Sequence, residues 1–185
     1  MKTPVLLLLA VAATLNAATW RYWIQPCTDA GSGCRTGDPE LANWAFQAWQ
    51  HASKGRLIFK PTTDPQQARI AIVWGGSRDD IYGEARPITG SDGVKRFEIH
   101  VVPPEAPDEL MRDAIVYLTC LHETGHALDL EHTGNFEDIM YSFEMGGRSR
   151  EYFDRYRRGL HTRHDIRKHS AISKGDRRAL IKSLK

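Results

Sequence analysis

Residues His122 to His132 read HETGHALDLEH, and the rest of the chain can be placed by working outward from them. Residues four apart on an α-helix stand one above the other, so His122 and His126 can offer two imidazoles to one metal ion. Glu123 projects about 100° further round the helix and cannot join them as a third ligand in the same plane. It is instead set to reach a water from the side, the general-base position of an H-E-x-x-H pattern. His132 lies beyond the reach of the same helix, so the chain must turn sharply near Asp129. A catalytic zinc takes three protein ligands and keeps one position open. His122, His126 and His132 supply that count, and zinc is the expected cofactor.

The helix that carries this stretch is expected over about residues 107–129. Pro107 opens it, and Asp108 and Glu109 fall in a first turn where the helix dipole favours acids. Leu110, Met111, Ala114, Ile115, Leu118, Leu121 and Leu128 form a broad apolar stripe, which predicts a helix buried against a sheet. Upstream, Trp20, Tyr22 and Ile24 alternate with Arg21, Trp23 and Gln25 as in a strand. Asp38 as N-cap and Pro39 at the first helical position open a first helix bearing Leu41, Trp44, Ala45, Ala48, Trp49 and Ala52 on one face; Gly55 ends it. Strands are predicted at Leu57–Phe59, Ile70–Trp74, Ile81–Pro87 and Arg96–Val102. Gly83 and Pro87 make the third of these an edge strand, and His100 is read as a hydrogen-bonded strand residue. The order of elements indicates an α/β domain, a twisted, mostly parallel sheet of about five strands with helices packed on it. A small C-terminal part closes with a helix capped by Ser173, with Asp176 three residues on.

The chain has 185 residues and a formal net charge of +2, enough for one domain with a full core and no argument for nucleic acid or another polyanion as partner. Lys2, the apolar run from Pro4 to Leu15 and the small residues Ala17 and Ala18 read as a secretory signal peptide over residues 1–17. The run is too short to span a bilayer, so the mature chain, residues 18–185, is expected to be secreted or periplasmic, without a membrane segment, and monomeric. Three cysteines suit an oxidising compartment. Cys27 and Cys34 can bridge across TDAGSG, with Cys120 a small buried hydrophobe; alternatively, an N-terminal thiolate caps the metal's open position as a latch. Residues 144–169 are rich in arginine, which usually means a solvated face.

HETGHALDLEH followed by DIMYSF resembles the metzincin metallopeptidases, specifically the matrixins, whose pattern is H-E-x-x-H-x-x-G-x-x-H with a downstream Met-turn. The methionine here is Met140, with Tyr141 directly after it, in a Met-turn over about residues 138–142. WAFQAWQHASKGRLIF, ARIAIVW and ISKGDRRALIKSL resemble the family's first helix and second strand, third strand and closing helix. The resemblance implies a zincin-like α+β fold, a zinc ion on His122, His126 and His132, Glu123 as general base and acid, and Met140 as a hydrophobic floor. It also implies a secreted endopeptidase acting on protein or peptide substrates. Asp129 stands where the family has glycine at a left-handed turn; if His132 is not a ligand, Glu151 is the substitute by distance. The family's propeptide cysteine switch and its histidine-rich loop for structural zinc and calcium are not visible. Residues 144–169 form a long basic insertion in a region that, in the family, shapes the pocket for the side chain after the scissile bond. An exported zinc-containing binding module without peptidase activity is the alternative.

Overall fold

Alternation of apolar and polar side chains buries one face of four of the five strands and leaves the fifth at an open edge. The computed structural model describes residues 17–76, 81–90, 92–106, 108–143 and 149–185; the signal peptide thus falls, but for its last residue, outside the described residues, as do Pro107 and the first part of the basic insertion. The strands are β1 (Ala18–Ile24), β2 (Leu57–Pro61), β3 (Ile70–Trp74), β4 (Gly83–Thr89) and β5 (Lys95–Val101), in the order β2-β1-β3-β5-β4. Every neighbouring pair is parallel except β4–β5. The expected mostly parallel α/β sheet of five strands is therefore present, with β4 at the edge.

Helices α1 (Asp38–Ala52) and α2 (Glu109–Ala127) cover the buried face. Trp20, Tyr22, Leu57, Phe59, Ile70, Ile72, Phe97, Ile99 and Val101 join the helices' apolar stripes in one core. Tyr22 stacks on Phe46, with ring centroids 4.1 Å apart, and the Trp49 indole N–H donates to the Leu121 carbonyl at 2.8 Å. No helix among the described residues is long and apolar enough to cross a membrane.

Two expected helix starts move by one or two residues. Asp38 is the first residue of α1 and not its cap, which is Gly37. Its carboxylate is taken by Arg112 through two hydrogen bonds of 2.7 and 2.8 Å, with both side chains buried. Asp108 is the N-cap of α2, accepting from the Leu110 amide at 3.0 Å, so it precedes the first turn. Its other oxygen holds Arg157 at 2.8 Å.

The basic insertion is not simply a solvated face. It contains α3 (Ser149–Arg157) and the short α4 (Asp165–Lys168), ahead of α5 (Lys174–Ser183). Tyr152, Phe153, Leu160 and Ile166 are buried in the main core. Arg157 and Arg163 pair with Asp108 and Asp113 at the start of α2, so the arginines fasten this segment to the rest of the domain. The Ser173 cap of α5 is present as expected, with Asp176 completing the reciprocal capping box. Cys27 and Cys34 form a disulfide, which rules out either thiolate as a latch, and Cys120 is free and buried.

Candidate metal centre and its cleft

The three histidines converge. His122 and His126 stand one turn apart on α2, and their Nε2 atoms lie 3.2 Å from each other; His132 Nε2 is 3.2 Å from the first and 3.1 Å from the second. His122 Nδ1 lies 2.6 Å from the Ile139 carbonyl oxygen and His126 Nδ1 3.0 Å from that of Leu130. A carbonyl only accepts, so each Nδ1 carries the proton and each Nε2 presents a lone pair. Two lone pairs facing one another beside a third ring nitrogen at this distance are what a shared cation would bridge. Two nitrogens bound ~2.0–2.1 Å from one ion at the tetrahedral angle stand about 3.3–3.4 Å apart, so the triangle fits. Burial pushes the His122 imidazolium down to about 3, with the charges of His126 and His132 adding to the fall. Burial likewise lowers His126. Both are thus neutral at pH 7, the form that ligates a metal. These three residues lie close enough to hold a metal ion; Glu151 is on the exposed side of α3 and is not part of the cluster.

The turn that brings His132 back is a Schellman closure of α2. The Leu130 amide donates to the Gly125 carbonyl and the Asp129 amide to that of His126, both at 3.0 Å, with Asp129 in the left-handed region at φ 59°. Asp129 therefore adopts the backbone that favours glycine, and its carboxylate, largely exposed, meets Lys95 Nζ at 2.8 Å. Beyond His132 the chain folds back on itself: the Thr133 amide donates to the Met140 carbonyl at 2.8 Å and the Ser142 amide to the Thr133 carbonyl at 3.0 Å. The buried Asp138 side chain collects Thr133, Asn135 and Ser173, and its carbonyl accepts from the Tyr152 hydroxyl at 2.9 Å. Met140, 1 % exposed, lies against Gly125. A Cβ on that glycine would overlap the Met140 sulfur and approach Trp49 Cζ2 to 3.2 Å, so the absent side chain is what lets the thioether pack under the turn between His122 and His126.

The histidines open onto a cleft of about 1090 Å³ between β4 and the 139–143 segment. Glu123 lines it and is itself 7 % exposed. Burial pushes the Glu123 carboxyl up to about 7; the Ala85 backbone amide pulls it back, and the charge of Glu84 adds to the rise. β4 approaches α2 closely at Gly83, where a Cβ would come within 2.5 Å of Thr119 Cγ2 and 2.9 Å of Glu123 Cγ. Glycine there lets the edge strand run beside the carboxylate. The far end of the cleft is aromatic: Tyr82 stands edge-on to Phe153 at 5.4 Å, and Phe143 edge-on to Tyr152 at the same distance.

The cleft residues Tyr152 and Phe153 are not read from the sequence as site residues, and Asp176 is legible there only as part of a helix cap. Tyr152, Phe153 and Tyr156 do sit at helical spacing inside the arginine-rich run, a signal outweighed by the surrounding charge. No protein-family profile matches this chain, and no curated protein shows significant similarity to its sequence.

Proposed function

We propose that this chain is a zinc-dependent endopeptidase with a zincin-like fold of the metzincin, matrixin-like kind. The observation that carries the reading is the convergence of three imidazole Nε2 atoms within 3.2 Å, in a cleft that also holds a buried glutamate beside an open strand edge. His122, His126 and His132 would hold the ion, and Met140 would be the apolar floor below them. Bound zinc supplies Lewis acidity, lowering the pKa of a water and polarising a carbonyl oxygen.

The substrate peptide lies extended along β4 and adds to the sheet edge through backbone hydrogen bonds. Glu123 takes a proton from the attacking water as the new C–O bond forms. It then delivers that proton to the amide nitrogen as the C–N bond breaks. The aromatic end of the cleft, from Phe143, Tyr152 and Phe153, receives a substrate side chain. The Cys27–Cys34 disulfide and the apolar N-terminal run support export to an oxidising compartment, with the mature chain acting as a monomer.

Glu123→Ala should retain zinc and lose about 10²–10⁴-fold in peptide cleavage, measured with a peptide library beside metal analysis of the same preparation. Cleavage equal to wild type would sink the mechanism. Zinc binding without any cleavage by the wild-type chain would favour an exported binding module in its place.

A further inference from the structure

We infer that Asp176 is a positioning residue for the ligand His122, acting through the Ile139–Met140 peptide; the inference rests on the zinc reading above. Asp176 belongs to α5, the last helix, and is 1 % exposed. Its Oδ2 accepts from the Ile139 amide at 2.9 Å and from the Ser173 amide at 2.8 Å, and its Oδ1 accepts from the Met140 amide at 3.4 Å. The Met140 N–H and the Ile139 carbonyl are two ends of one peptide group. That carbonyl accepts the Nδ1–H of His122 at 2.6 Å.

One peptide is thus clamped with its N–H on a buried carboxylate and its C=O on an imidazole. An amide that donates to an anion is polarised, and its carbonyl becomes a stronger acceptor. A stronger acceptor at Nδ1–H fixes the ring and raises the basicity of Nε2. A capping box alone does not call for this arrangement, since it asks the acid only to take the amide of the cap residue. Here the same carboxylate is buried and also takes two amides of the segment that carries Met140. For His126 the acceptor is local: its Nδ1–H meets the Leu130 carbonyl, just beyond the end of its own helix.

The test uses the full chain. Asp176→Asn preserves shape, removes the charge and turns one acceptor into a donor; its zinc affinity, by chelator competition, should fall about 10–100-fold. Leu180→Ala removes a fully buried side chain from the same helix and leaves the carboxylate on both amides, so it should lower the melting temperature of the metal-free protein yet keep zinc affinity within about threefold of wild type. Ring-nitrogen NMR of metal-free wild-type protein should show the His122 imidazole locked as the Nδ1–H tautomer, its proton protected from exchange. Zinc affinity of Asp176→Asn within threefold of wild type overturns the inference, as does an equal loss in Leu180→Ala or a freely exchanging His122 proton. Each of these leaves the zinc reading standing, whereas a wild-type chain that binds no zinc overturns both.

Discussion

His122 and His126 are placed by the regular geometry of a buried helix, whereas His132 is placed by a loop whose shape depends on residues far along the chain. The backbone positions of the first two need only α2, which is fixed to α1 by the Arg112–Asp38 pair and by apolar packing; the ring of His122 is held from outside it, by the Ile139 carbonyl. The third needs the left-handed Asp129, the Thr133–Tyr141 bridge and the polar contacts of Asp138 with Ser173. Two ligands are thus a property of local sequence and one is a property of the tertiary structure. The difference teaches that the helix can be complete while the centre is not.

Four measurements can break or sharpen that contrast. Arg112→Met leaves Asp38 buried without its counter-charge and should cost about 3–5 kcal/mol in chemical denaturation; a smaller loss would mean that apolar packing alone fixes the helix. Zinc at a hundredfold excess over its dissociation constant should add about 2.7 kcal/mol of stability, with new amide protection concentrated in residues 129–142. Protection gained equally along α2 would erase the distinction between the two regions.

Gly125→Ala joins the regions at their contact. The helix gains about 1 kcal/mol in propensity, but the added methyl overlaps Met140, and overpacking costs about 1–3 kcal/mol. A net loss of up to about 2 kcal/mol is expected in thermal unfolding, and a net gain would show that Met140 moves aside freely. The smallest effect belongs to Asp129→Gly. Relief of the left-handed backbone contributes about 1 kcal/mol, offset by loss of an exposed Lys95 pair worth about 0–1 kcal/mol. The variant should be slightly more stable than wild type; lower stability would mean that the Lys95 contact outweighs the backbone.

The same contrast explains what could be read from the amino-acid sequence. His122, Glu123 and His126 follow from helical spacing, and the strands of the buried face follow from two-residue alternation in side chains such as Ile70 and Ile72. Asp129 is legible as a turn because a third ligand demands one. Helices α3 and α4 were not expected, because their charge masks the few buried residues, Tyr152, Phe153 and Ile166, that hold them down. Asp38 stands inside α1 with its carboxylate on Arg112, distant in the chain, whereas Asp108 starts α2 by capping the Leu110 amide. Ser173 and Asp176 are readable as a cap, but the second task of Asp176 at Ile139 and Met140 depends on a contact across more than thirty positions.

The open edge of β4 also bears on solubility. A strand at the open edge of a sheet can pair, through its backbone hydrogen bonds, with another copy of itself and begin to aggregate. The chain limits this within a few residues. Gly83, Glu84 and Ala85 line the cleft, while Arg86 is bound to Glu84 at 2.7 Å and Pro87, next along, has no N–H to donate. Only a short stretch of the edge is therefore usable, too short to template a growing sheet.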